Sequence, residues 1–224
     1  MIRCDPNSFN LPSYVVDNHH IAVATDIVST DSLIRILNNT FLVNPPDATS
    51  DSAIGISSSG NNNIGESYIW HSSWGVQILN NIEYDFATPS AGYGNYLFEL
   101  TSLTNSTALT NWVVNYNDYR SDKPTDFFWN DGGGSLTPDY DDGLSAMNAS
   151  NGWESAGITN NPLFVSLAGS WSNAVINNYT PLPNSPVVNA GTNLSALGLP
   201  GLNFDLNGNP RPPTNNWDIG AYQH

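Results

Sequence analysis

Short apolar stretches that end in paired asparagines recur along this chain and limit what it can fold into. The stretch IRILNN at residues 34–39 returns as VQILNN at residues 76–81, 42 residues further along. Similar units begin near Tyr14, Ile54, Tyr96 and Trp112. The interval between neighbouring units is therefore about 20 residues, which predicts a repeat architecture.

Apolar and polar residues alternate within each unit, which is typical of a strand with one buried face. Strands this short, at so constant a spacing, favour a coil in which successive turns pair in parallel and like residues stack on like. We therefore predict an all-β fold, a parallel β-helix (solenoid) of about five to six turns, with one unit per turn. Ile34, Ile54 and Val76 are expected to stack in one internal column.

The asparagines at the unit ends are predicted to form the corners of this coil. Asparagine tolerates the left-handed backbone conformation, and stacked asparagine side chains bond to one another along a β-stack. A structural corner ladder through Asn18, Asn38 and Asn80 is therefore expected, in preference to a binding role.

The charge balance excludes several classes of partner. Five basic residues face 20 acidic ones, for a net charge of −15. A surface that binds nucleic acid needs clustered Lys and Arg, and this chain has too few for nucleic-acid or anionic membrane binding. No long apolar run predicts membrane insertion. Neutral glycans, cations, other proteins and further copies of the chain itself remain as partners. The single cysteine, Cys4, excludes an internal disulfide.

The last third of the chain carries more specific motifs. NPLFV (161–165) precedes NSPVVNAG (184–191), DLNGNPRP (205–212) and WDIGAY (217–222). In order and spacing this series resembles the C-terminal region of secreted right-handed parallel β-helix (pectin-lyase-like) proteins. Asn189 and Gln223 stand where that family usually has Asp and Glu. The resemblance implies a right-handed coil and an extracellular or cell-surface location.

These observations predict one β-helix domain over residues 1–224. It comprises a lead-in (1–13), coil turns (14–119), a loop excursion (120–160), and a final turn with a C-terminal cap (161–224). In the cap, Asp205, Arg211 and Asp218 are expected to lie together, since a buried Arg needs carboxylates around it.

Two groups of residues are candidate binding sites. Asp139, Asp141 and Asp142 offer hard oxygen ligands for Ca²⁺, although a solvated acidic turn explains them as well. Trp70, Trp74 and Tyr93 are candidates for stacking on a neutral sugar, with packing over the coil as the alternative.

Other polar residues have structural interpretations. Glu83 and Asp85 lie two apart on one strand and are expected on a solvated face. His19, next to His20, falls near the position of Asn39 and Asn81, so we interpret it as a corner residue. His20 and His71 are the remaining candidates for metal binding or base catalysis.

Two functions follow, with the catalytic residues unknown. The first is a non-catalytic extracellular structural, surface or assembly module. Residues 1–13 show no capping pattern, so the first turn is expected to need cover from missing turns, a partner or the next copy, and end-to-end stacking would build a filament. The alternative, implied by the resemblance, is a polysaccharide lyase or glycoside hydrolase, or a fragment of one.

Overall fold

A computed structural model describes residues 19–21, 33–43, 52–57, 75–85, 96–101, 112–121, 128–131, 144–167 and 178–224. The predicted lead-in, the corner residue Asn18 and the candidate sites at Trp70, Trp74, Tyr93, His71, Asp139, Asp141 and Asp142 lie outside the described residues.

Twelve short strands and one α-helix run through the described part of the chain. They are β1 (His19–Ile21), β2 (Leu33–Leu37), β3 (Thr40–Val43), β4 (Ser52–Ser57), β5 (Gly75–Leu79), β6 (Ile82–Asp85), β7 (Tyr96–Thr101), β8 (Trp112–Asn115), β9 (Asp118–Ser121), β10 (Phe128–Asp131), α1 (Leu144–Asn151), β11 (Phe164–Ser166) and β12 (Asn178–Pro181). Two 3₁₀ helices follow, at Ser195–Leu197 and Pro200–Asn203.

The first ten strands form three parallel sheets, and each sheet takes every third strand. The sheets have the orders β1-β4-β7-β10, β2-β5-β8 and β3-β6-β9. β11 and β12 form a separate antiparallel pair. Parallel neighbours cannot be joined by a tight hairpin, so each connection between paired strands passes through the other two sheets.

The register confirms one of the two repeat intervals. Ile34 pairs with Val76, and Val76 pairs with Trp112, as the recurrence of the IRILNN motif predicts. Ile54, however, pairs with Ile21 and Phe98 in a different sheet. The expectation that units about 20 residues apart stack on one another is therefore wrong. Neighbouring units alternate between sheets because each strand of a turn carries the same alternating pattern.

Two-residue corners join the second and third sheets. Asn38 and Asn80 adopt left-handed conformations, with φ of 52° and 58°, and Asn80 Nδ2 donates to Asn38 Oδ1 at 3.1 Å. Both findings confirm the predicted corner role of these two residues. Tyr116 takes the same conformation at the next corner, with φ of 58°. Its strained backbone is held by Asn115, whose Oδ1 accepts from Tyr116 N at 2.9 Å and from Ala156 N at 2.8 Å.

Parts of the predicted excursion pair with the sheets. β10 lies against β7. After α1, residues 153–158 return to the corner and are called the closing rung here. Glu154 N donates to Val114 O, and Ile158 N donates to Asn117 O. Trp153 stacks on Trp112, with ring centroids 5.7 Å apart.

Apolar side chains fill both sides of these strands. Val76, Ile78 and Val114 are buried, whereas Val113 between its buried neighbours is 47% exposed. On the other side, the C-terminal segment (residues 187–224) covers the corner. Two clusters form there, one of Ile82, Tyr84, Phe164, Val187 and Ile219, the other of Leu79, Leu194, Leu202 and Trp217.

Asn80 binds this C-terminal segment directly. Its Oδ1 accepts from Thr192 N, and its Nδ2 donates to Thr192 O, both at 2.8 Å. Its backbone carbonyl accepts from Gly220 N at 2.8 Å. A Cβ on Gly191 would lie 2.9 Å from the Asn80 amide, so only glycine allows this approach.

We predict that Asn80→Gly lowers the free energy of unfolding more than Asn38→Gly does, by about 1–3 kcal/mol. Both changes relieve the left-handed backbone and break the Asn38–Asn80 bond, but only the first removes the two bonds to Thr192. Equilibrium denaturant unfolding measures the difference. Equal losses would show that Asn80 does not hold the C-terminal segment.

Candidate functional site

A ladder of asparagine side chains runs through the inner side of the corner, through Asn39, Asn81 and Asn117. Backbone N and Nδ2 of Asn39 both donate to Asn81 Oδ1 at 3.0 Å. The same two groups of Asn81 donate to Asn117 Oδ1, at 2.8 and 3.0 Å. Nδ2 of Asn81 also donates to the carbonyl of Ile36, and that of Asn117 to Ile78. Each side chain thereby satisfies buried amides in two rungs.

Glu154 ends this asparagine ladder in the closing rung. Its carboxylate accepts from Asn117 Nδ2 at 2.5 Å, from Asn117 N at 3.3 Å and from Tyr119 Oη at 2.7 Å. Burial raises the pKa of Glu154 to about 7, although the hydrogen bonds from Asn117 and Tyr119 act in the opposite direction. A Cβ on Gly157 would come within 2.5 Å of Glu154 Oε2, so the closing rung needs glycine there.

Glu83 lies in β6, paired in register with Tyr119 of β9. It is fully buried, and neither carboxyl oxygen has a hydrogen-bond partner among the described residues. Burial raises its pKa well above the ordinary value, and the charges of Glu154 and Asp118 raise it further. Our prediction of a solvated face at Glu83 is therefore wrong.

Asp118 occupies an equally unusual position in β9. In register it stands between Ile82 of β6 and Ile158 of the closing rung, and it is fully buried. Its two oxygens make no hydrogen bond of acceptable geometry within the described part of the chain. Burial raises its pKa to about 8, whereas the nearby backbone N–H of Asn160 and the charge of Arg120 lower it.

These three carboxyls, Glu83, Asp118 and Glu154, are called the acidic corner here. Tyr119 lies among them, fully buried, and burial with the charge of Glu154 raises its pKa well above the ordinary value. Because each acid is at most 3% exposed, none is placed to touch a polymeric substrate. Among the described residues, no group of His, Cys, Asp or Glu has the arrangement of a metal site.

The three charged residues of the predicted cap also come together. Arg211 is buried and donates to the carbonyls of Gly220 at 2.9 Å and Asp218 at 3.4 Å. Its guanidinium lies 5.4 Å from the ring centroid of Trp217. Burial lowers the pKa of Arg211 to about 10, although the charges of Asp205 and Asp218 act to raise it. The guanidinium thus bonds to carbonyls while the two carboxylates provide its countercharge.

Both carboxylates of the cap bind backbone amides. Asp205 accepts from Asn209 N at 2.7 Å and from Gln223 N at 3.0 Å. Burial alone would raise the pKa of Asp205, but these bonds hold it below its ordinary value. Asp218 accepts from Asn189 N at 2.8 Å and from His224 N at 2.6 Å. This network closes the C-terminal segment on itself, so its role is structural.

Two residues that depart from the family pattern take part in this network. Asn189 is in the left-handed conformation, with φ of 55°, and its N–H binds Asp218. Gln223 Oε1 accepts from Arg211 Nη1 at 3.3 Å. An amide at each position therefore serves where the family usually has a carboxylate.

Further polar residues have clear positions. His19 lies in β1 and pairs with Ser52, so the interpretation of His19 as a corner residue like Asn39 and Asn81 is wrong. Arg35 Nε donates to Gln77 Oε1 of the neighbouring strand at 2.9 Å. The backbone of Asp85 ends β6.

The burial of Glu83 had a signal that the sequence reasoning missed. Glu83 follows Asn81 by two positions, as Phe41 follows Asn39 and Tyr119 follows Asn117. The other two rungs thus place an aromatic residue there. Aligning the rungs on the asparagines would have predicted an inward position.

Comparison with protein-family models, curated proteins and solved structures gave no match to this chain. Within the described ranges, no helix is both long and apolar enough to cross a membrane.

We predict that Asn117→Asp lowers the free energy of unfolding by about 3 kcal/mol at pH 8 and by less at pH 5. The change removes the Nδ2 donor and places a second carboxylate against Glu154, and protonation at pH 5 relieves the repulsion. Unfolding curves at the two pH values measure this. Asn184→Asp, at an exposed position, is the matched control. Equal losses at both pH values would contradict the contact with Glu154.

Proposed function

We propose that this chain is an extracellular or cell-surface right-handed parallel β-helix module with a structural role, which associates with further copies of itself or with neutral glycans. It has no catalytic activity in this proposal, and it neither binds nucleic acid nor inserts into membranes. The net charge of −15 supports the exclusion of nucleic acid.

Three features support the fold in this proposal. The strand order repeats every third strand, with parallel pairing in all three sheets. Two-residue corners with left-handed Asn38 and Asn80 recur between the same two sheets. The C-terminal motifs resemble those of secreted right-handed β-helix proteins, which also supports the handedness and location.

The asparagine ladder and its closed surroundings are the observation that carries the structural role. Asn81 and Asn117 are fully buried and spend their hydrogen bonds on neighbouring rungs. The acids beside them are sealed within the packing. A hydrolase or lyase needs its carboxylates or base on a face that the glycan reaches, and the buried corner offers no such face.

Self-association is supported by the margins of two sheets. Among the described strands, β2 and β3 each have a pairing partner on one side only. A strand in that position presents unpaired backbone groups that can add a further strand. Because like-charged copies repel one another, association is expected to depend on salt.

Light scattering combined with electron microscopy tests the assembly. We expect the mass to rise with protein concentration above the 24.2 kDa of one chain, with rods or filaments visible at about 0.15 M salt. At about 0.01 M salt, where screening extends to roughly 30 Å, we expect fewer and shorter assemblies. Uniform particles of single-chain mass under all conditions would contradict self-association.

Cleavage assays on neutral and acidic glycans, with Ca²⁺ or with a chelator, test the absence of catalysis. We expect no cleavage in either condition. Cleavage that needs Ca²⁺ would instead favour the lyase alternative and direct attention to Asp139, Asp141 and Asp142. Cleavage without Ca²⁺ would favour a hydrolase.

A further inference from the structure

The acidic corner joins three parts of the chain. Glu83 belongs to β6, Asp118 to β9 and Glu154 to the closing rung. The outer side of the same corner packs against the C-terminal segment through Ile82 and Tyr84. The state of these carboxyls therefore bears on the attachment of both the closing rung and the C-terminal segment.

Two of the three acids lack any compensation for a negative charge. A carboxylate that is buried without donors is strongly destabilising, and such groups take up a proton instead. Glu83 and Asp118 have four oxygens with no hydrogen-bond partner within the described residues. Glu154 differs, because Asn117 and Tyr119 donate to it. The geometry thus places one solvated-by-protein carboxylate beside two that are stable only as neutral acids.

The ionisable groups that face the acidic corner do not neutralise it. β9 contributes Tyr119 and Arg120, β6 contributes Tyr84, and β12 contributes Tyr179 next to Phe164. Arg120 is the cation that acts on Asp118, and its charge only partly opposes the effect of burial. In register, the β3 position that pairs with Glu83 is Phe41, an apolar residue.

We propose that the acidic corner is a proton-dependent device, in which protonated Glu83 and Asp118 hold the closing rung and the C-terminal segment in place and lose that hold above neutral pH. The described part of the chain is then most firmly closed in mildly acidic solution and opens first at this corner when the medium becomes alkaline.

The direction follows from proton linkage. In the unfolded chain these carboxyls ionise near pH 4, whereas in the folded chain Asp118 keeps its proton to about pH 8 and Glu154 to about pH 7. The folded state therefore binds more protons between these limits, and its stability falls as pH rises through the window. Below pH 4 both states are protonated, and the stabilisation of the folded state by these groups is complete.

Unfolding equilibria measured from pH 5 to pH 7 test this device. Each protonated carboxyl makes the unfolding equilibrium constant rise about tenfold per pH unit. Asp118→Asn and Glu83→Gln each remove one such group at nearly constant shape. Each is expected to make the pH dependence about tenfold per unit shallower than in the wild type, and the double variant about a hundredfold.

Asp205→Asn is the control. Since the pKa of Asp205 is lowered in the folded chain, this acid is ionised in both states above pH 5. Its removal is expected to change stability without changing the pH dependence. If Glu83→Gln fails to fold, Asp118→Asn still tests the proposal, because the two acids are independent substitutions.

Hydrogen exchange locates the opening. The amides of Tyr119 and Ile158 bond across the closing rung, to Ile158 O and Asn117 O. Their protection factors are expected to fall between pH 6 and pH 8.5, before those of Ile78 in the buried centre of β5. A pH dependence that is the same in wild type and in Asp118→Asn, or protection that is lost uniformly, would overturn the proposal.

Discussion

The two-residue corner between paired strands is the constraint on which the rest of this structure depends. A corner of this kind buries amide groups that the sheet ladders cannot reach, and each must find a partner. Asn81 and Asn117 provide it by donating and accepting at once, so one side chain serves two rungs. The next residue outward, Asn80, does the same for the C-terminal segment.

A chain of asparagines that donate in one direction must end on a group that only accepts. Glu154 is that group, and it ends the asparagine ladder where the closing rung begins. The same burial that makes a carboxylate a good terminal acceptor penalises the acids packed beside it. Glu83 and Asp118 therefore behave as neutral residues in an otherwise apolar setting, and the pH sensitivity of the corner is a consequence of how its ladder ends.

Some of this could be predicted from sequence. The repeated IRILNN motif predicted the pairing of β2 with β5 and the left-handed corners, because both follow from local chemistry. The shorter interval misled us, since alternation marks every strand and does not say which strand is its neighbour. Glu83 and Asp118 could not be placed by local pattern, because their burial arises from the closing rung and the C-terminal segment, which lie far along the chain.

Disulfide trapping tests the pairing of the strands most directly. With Cys4 replaced by Ser, Arg35→Cys combined with Gln77→Cys is predicted to form an intramolecular disulfide, since these side chains already touch across β2 and β5. Arg35→Cys combined with Gly55→Cys, which joins units about 20 residues apart, is predicted to form none. A disulfide in the second variant and none in the first would contradict this account of the fold.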